Sequence, residues 1–121
     1  MNTPVKHPLA KLLKEKGFDE YTDRVYLSEN NIKLQRGLVN YPKILYPNAI
    51  TAPTIGQVVM WLYEKHGIWI GVDFKETDES FQYCCRLVNS NKLPRIFCND
   101  GFNSPTEAYE AAIEYCLNNL I

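Results

Sequence analysis

Four cysteines are the residues of this chain with the most versatile chemistry, and they stand at positions 84, 85, 98 and 116. A thiolate can act as a nucleophile or as a metal ligand. No two of them form a C-x-x-C pair, and no histidine pair lies near them at the spacing of a zinc site. Cys84 and Cys85 are neighbours in a strand-like segment, so they point to opposite faces and cannot share a metal without distortion. We predict reduced thiols that pack as small hydrophobic residues in a cytoplasmic protein.

A histidine and a group of acidic residues are the remaining candidates for catalysis. A cysteine nucleophile would need a base, and His66 is the histidine considered for that role. His66 directly precedes Gly67 at the end of a helical segment, where the helix dipole favours a histidine, so its position has a structural explanation. The acidic segment 73–79 lacks the ligand spacing and the glycine of a calcium loop. The sequence therefore predicts no catalytic residue, no cofactor and no metal, and we interpret the protein as not an enzyme. A small enzyme with a polar pocket around His66 or Cys98 is the third alternative.

The bulk composition is typical of a globular protein. The chain has 121 residues, of which 45% are hydrophobic and 22% charged, so we predict a single domain over residues 1–121. Residues 1–50 carry eight Lys/Arg against five Asp/Glu, and residues 51–121 carry five against nine. These opposite charges indicate either that the halves pack together or that the first half binds nucleic acid. Residues 1–20 lack the apolar core of a signal peptide, and the most apolar stretch, 58–63, is too short to span a membrane, so we expect neither export nor a membrane partner.

The first fifty residues predict one helix and one hairpin. An amphipathic pattern after His7 and Pro8 predicts a short helix that ends at Gly17, with Phe18 folding back on its last turn. Alternation over 21–28, turn residues at 29–31 and a second apolar alternation predict a β-hairpin. Residues 37–53 contain three prolines and are interpreted as a long connection without regular structure.

Residues 54–121 predict the order helix, three strands, helix. Thr54 and Gln57 form a capping-box pattern at the start of the first helix, and Ser104-Pro105-Thr106-Glu107 forms a second one at the start of the last. Segments 68–74, 81–89 and 95–99 are rich in β-branched and aromatic residues and predict strands. With Asn91 and Lys92 as the tight turn, Cys85 would lie opposite Cys98.

We therefore predict an α+β fold, in which an N-terminal helix and β-hairpin precede an α-β-β-β-α segment. Its antiparallel sheet is covered on one face by the two helices. The domain would consist of residues 1–50, holding the helix, hairpin and connection, and residues 51–121, holding the α-β-β-β-α core. An exposed edge strand in this sheet would favour pairing with a second copy, so a homodimer is a further expectation.

The α-β-β-β-α order over 54–121 is similar to the topology of the double-stranded-RNA-binding domain. In that family the last helix begins with a lysine cluster that contacts phosphates. Here residues 104–110 occupy that place and carry Glu107 and Glu110 instead. The resemblance therefore concerns topology and transfers no RNA-binding residue.

A second resemblance is to an uncharacterised family of small proteins from prophages and gut anaerobes. It rests on residues 9–18, on Ala52-Pro53-Thr54, on Trp61-Leu62 with His66-Gly67-Ile68, and on residues 106–111. The resemblance implies a shared fold and lends no catalytic residue.

The function we predict is that of a non-enzymatic accessory or protein-interaction protein of a mobile element. Aromatic residues are favoured anchors of protein interfaces, and the partner is therefore expected to be a protein. The alternative is a nucleic-acid-binding module that uses the basic first half. The residues predicted to contact a partner or nucleic acid are Lys11, Lys14, Lys16, Lys33, Arg36, Tyr41, Lys43 and Tyr46.

Overall fold

The computed structural model of the chain describes residues 1–34, 49–88 and 95–121, and it describes the side chains of all of these except residues 95–100. The chain divides into two compact units, one formed by residues 2–54 and the other by residues 55–121 together with Met1. The single domain stays a prediction.

The regular elements follow the predicted order. The helices of the described residues are α1 (His7–Glu15), α2 (Ile55–His66) and α3 (Pro105–Asn119). The strands are β1 (Arg24–Ser28), β2 (Asn31–Leu34), β3 (Ile50–Thr51), β4 (Ile68–Lys75), β5 (Ser80–Leu87) and β6 (Arg95–Phe102). Helices and small antiparallel sheets together confirm the α+β class.

Helix α1 ends as its sequence predicts. Gly17 adopts a positive φ of 95°, the backbone N–H of Phe18 donates to the carbonyl of Leu13 at 2.9 Å, and that of Gly17 donates to Lys14 at 3.2 Å. This pair of bonds is the Schellman motif, which satisfies carbonyls that the helix leaves without partners. Phe18 is buried beside the last turn, and Leu9, Ala10 and Leu13 form the buried face.

The first sheet has the strand order β2-β1-β3. The hairpin of β1 and β2 is confirmed, but the interpretation of 37–53 as entirely irregular is wrong at Ile50 and Thr51, which pair with Tyr26 and Val25. A two-residue strand is too short to produce a recognisable alternation, which is why the sequence did not reveal it. Residues 35–48 lie outside the described residues.

The second sheet has the order β4-β5-β6, with β5 in the centre. Helix α2 packs on β4, while α3 packs on all three strands and on α2, so both helices lie over this sheet. Ala108 and Ala112 are fully buried in α3, and their small side chains let the helix approach the strands closely. The buried side chains of this unit come from both helices and from β4 and β5: Ile55, Val58, Val59, Trp61, Leu62, Ile68, Ile70, Tyr83, Cys85, Ala108, Ala112, Ile113, Cys116 and Leu117.

The predicted register of β5 against β6 is wrong over most of its length. Cys85 lies opposite Ile96, and Cys98 lies opposite Tyr83. The difference is a shift of two residues, which does not change which residues of β5 share a face, so the hydrophobic pattern could not distinguish the two registers. An irregularity between Phe81 and Tyr83 then places Phe81 opposite Phe102, which is the pairing that the predicted register implies.

Helix α3 begins at its predicted cap. The Ser104 hydroxyl accepts a hydrogen bond from the Glu107 backbone N–H at 3.1 Å, with Pro105 in the first turn. The Glu107 carboxylate in turn accepts a bond from the backbone N–H of Asn103 at 3.2 Å, one residue before the position that the capping-box pattern predicts. These bonds fix where the chain leaves β6 and enters α3.

Candidate functional site

A group of exposed apolar side chains lies where α2 leads into β4. Met60 and Tyr63 are three residues apart on α2 and therefore neighbours on its surface. Across the Gly67 turn, Trp69 meets Tyr63 edge to face, with ring centroids 5.6 Å apart and an interplanar angle of 83°. The exposed fractions of Met60, Tyr63 and Trp69 are 45%, 44% and 43%. We call these three residues the aromatic patch.

The alternation of β4 explains why Trp69 is exposed. Ile68 and Ile70 are buried beneath the helices, so Trp69 between them must point to the opposite face of the sheet. Its cross-strand neighbour on that face is Arg86, which is also exposed. Gly71 follows on the same face, and a Cβ built there would meet no atom within 4 Å. The face of β4 that carries Trp69 therefore has room for an added side chain at position 71.

Strand β4 is also an edge of its sheet. Over its eight residues it pairs with β5 from Ile68 to Lys75, and within the described residues it has no strand on its other side. An edge strand presents backbone N–H and C=O groups that can pair with another extended segment. Asp73 is exposed on the same face as Trp69, so this edge combines an apolar ring with a negative charge four residues away.

A groove of about 630 Å³ lies in the unit of residues 2–54. Lys11 and Lys14 line it from α1, and Leu27 and Ile50 contribute apolar side chains from the sheet. Glu15 also lines the groove, so its charge is mixed. The full set of described lining residues is His7, Lys11, Lys14, Glu15, Leu27, Ser28, Glu29 and Ile50.

The predicted contact residues are only partly brought together. Lys11 and Lys14 line one groove, whereas Lys16 is half-buried beyond the end of α1 and Lys33 is exposed on β2. The other predicted contacts lie outside the described residues, and these are Arg36, Tyr41, Lys43 and Tyr46.

The residues considered for catalysis are dispersed. His66 is exposed, and its ring contacts the buried Trp61 at a centroid distance of 4.8 Å. It is not among the residues that line the groove. The acidic turn after β4 forms an exposed ion pair between Lys75 and Asp78, 3.2 Å apart. Across the described residues, no group of three or more His, Cys, Asp or Glu side chains is placed to hold a metal ion.

Two thiols meet in the core of the second unit, in a pairing that the sequence did not predict. The Sγ atoms of Cys85 on β5 and Cys116 on α3 are 3.5 Å apart, and both residues are buried. Cys84 points to the other face and is half-buried, which confirms the predicted divergence of Cys84 and Cys85. The Cys85–Cys98 pairing is wrong because of the shifted register, and the side chain of Cys98 lies outside the described ones.

The aromatic patch was only partly visible in the sequence. The helical period assigns Ile55, Val58, Val59 and Leu62 to the buried face of α2, which leaves Tyr63 outside it. The meeting of Tyr63 with Trp69 depends on the turn at Gly67, whose φ is 64°. That turn brings together Tyr63, which follows the helical period of α2, and Trp69, which follows the alternation of β4. Neither pattern alone predicts the contact.

Comparisons with known proteins add no relative: no family model, no curated protein and no solved structure matches the chain. No helix in the described parts of the chain is both long and apolar enough to cross a membrane.

Proposed function

We propose that this protein is a non-enzymatic interaction protein that binds a protein partner at the aromatic patch and the adjoining edge of β4. The observation that carries the proposal is the exposed edge-to-face pair of Tyr63 and Trp69. Tyrosine and tryptophan are enriched among the residues that dominate binding energy. Because the two rings already hold each other in place, less conformational entropy is lost when a partner binds.

The partner we propose is an extended segment of another protein that adds to β4 as a further strand. Backbone pairing along β4 would supply affinity, and alternate side chains would supply specificity. The segment would place an apolar side chain on Trp69 and a lysine or arginine near Asp73, because these two residues share one face of β4. The resemblance to prophage proteins supports an accessory role in a mobile element.

Photo-crosslinking tests this proposal at a defined position. A benzophenone amino acid in place of Gly71 would stand on the face of Trp69, at a position where a Cβ meets no atom within 4 Å. In the source cell it is expected to capture a protein, and Trp69→Ala in the same chain is expected to abolish the product. The matched control carries the crosslinker in place of Leu34, an exposed residue of the other unit. Asp73→Lys is expected to reduce the product, because it would repel a basic segment.

Three results would contradict the proposal. One is an unchanged product after Trp69→Ala, and another is the same product from position 34. The third is a product with twice the mass of the chain, which would identify a second copy as the occupant.

The nucleic-acid-binding alternative rests on Lys11 and Lys14, which line one groove. It receives less support, because Glu15 and Glu29 line the same groove and would repel phosphates. A gel-shift titration with single- and double-stranded probes separates the two functions. Retardation at low salt that weakens steeply as salt rises, and that Lys11→Ala with Lys14→Ala removes, would favour nucleic acid.

A further inference from the structure

The buried pair of Cys85 and Cys116 joins two different elements of the second unit. Cys85 lies on the central strand β5 and Cys116 in the last turn of α3, with relative exposures of 1% and 0%. Their Sγ atoms are 3.5 Å apart, whereas a disulfide bond measures about 2.05 Å. The sulfur atoms therefore need to approach by only about 1.5 Å to become bonded.

We propose that Cys85 and Cys116 are a site of oxidative modification, at which a low-molecular-weight disulfide such as oxidised glutathione converts the two thiols into a disulfide. The new bond would connect β5 to α3. It would close a loop of about 30 residues and hold the helix on the sheet.

The reaction takes place in two exchange steps that conserve electrons. The thiolate of one cysteine attacks the glutathione disulfide, which forms a mixed disulfide and releases one glutathione thiolate. The second cysteine then attacks the protein sulfur of the mixed disulfide and releases the second glutathione. The two thiol protons pass to water or to the leaving thiolates, so the protein pair is oxidised and one glutathione disulfide is reduced.

The environment indicates that Cys116 reacts first. When Cys116 is deprotonated, Cys85 can donate a hydrogen bond to it, and this bond lowers the pKa of Cys116 although burial acts in the opposite direction. The same hydrogen bond, followed by burial, raises the pKa of Cys85 above its ordinary value. Cys116 also lies in the last turn of α3, and the ends of helices open more readily than their centres.

Peptide mapping after oxidation tests the proposal on the full chain. A Cys84→Ser, Cys98→Ser background leaves only the two cysteines in question. Incubation with oxidised glutathione is expected to remove two hydrogen atoms from the protein mass and to link the peptides that contain Cys85 and Cys116. The thermal unfolding midpoint is expected to rise by about 10 °C, and dithiothreitol should reverse the rise.

The control is Cys116→Ala in the same background, which should show no cross-link and no rise of the midpoint. If this variant does not fold, the reversal by dithiothreitol in the parent protein decides the question instead. A product that carries only glutathione, without the link between residues 85 and 116, would overturn the proposal. A link that forms without raising the midpoint would also overturn it, because the bond would then not hold α3 on the sheet of the folded protein.

Discussion

Removal of Tyr63 and Trp69, singly and together, tests whether the aromatic patch is held in place before a partner binds. A fully buried tryptophan removes up to about 250 Å² from water. Trp69 is 43% exposed and buries a little over half of its surface. At ~25 cal/mol per Å², Trp69→Ala is therefore expected to lower the free energy of unfolding by at most about 3 kcal/mol. Tyr63→Ala is expected to cost no more than this, because its ring is smaller and similarly exposed.

The informative quantity is the coupling between the two substitutions. Edge-to-face aromatic pairs contribute about 0.5–1.5 kcal/mol beyond the area that they bury. Because both rings are partly hydrated, we expect a coupling near the lower end, about 0.5 kcal/mol. The double variant should therefore be less destabilised than the sum of the two single variants.

Urea unfolding of the four proteins measures this coupling, and the slopes of the transitions should agree, so that midpoints can be compared directly. Acrylamide quenching gives a second readout. Trp61 is only 3% exposed, so the accessible part of the tryptophan emission belongs to Trp69. Tyr63→Ala should increase that quenching. Strictly additive effects together with unchanged quenching would refute the idea of a pre-formed ring pair.

Substitutions at two further positions test the ends of the helices. Ser104→Ala removes the acceptor for the Glu107 backbone N–H and is expected to lower the free energy of unfolding in urea by about 1 kcal/mol. Ser104→Asp keeps an acceptor and should retain most of that stability. Equal stability of the two variants would count against the cap. Gly17→Ala is expected to cost about 1 kcal/mol, because its φ of 95° is strained for alanine although a Cβ would meet no atom within 4 Å. Gly71→Ala is the matched control, since it has equal free space but no positive φ, and a comparable loss there would contradict this explanation.

The elements that sequence predicts correctly are those that carry their own local signals. Gly17 requires a left-handed conformation, and Ser104 with Pro105 leaves little choice about where α3 begins. These preferences act within a few residues, so they can be identified without knowledge of the fold. Strand β3 has no such signal, because two residues cannot show an alternation.

Contacts between elements were less predictable, for two different reasons. The predicted register of β5 and β6 is wrong by two residues, because such a shift does not change which residues of a strand share a face. The contact of Cys85 with Cys116 depends instead on how far α3 slides along the sheet, and the amphipathic stripe of α3 allows several positions. Alternation therefore fixes which face a residue occupies but not which residue it meets.

The same distinction explains why the aromatic patch is a better guide to function than the number of aromatic residues. Trp61 and Trp69 differ little in their sequence surroundings, yet Trp61 is buried and Trp69 is almost half exposed. Trp61 is buried on α2 although it lies off the main apolar face of that helix, while the strand period places Trp69 away from the core, between two buried isoleucines. A tryptophan at that position exposes apolar surface without filling the core of its own unit. The exposed part of Trp69 is the surface that the proposed partner would cover, and this argument leads to the edge of β4 as the place to search for that partner.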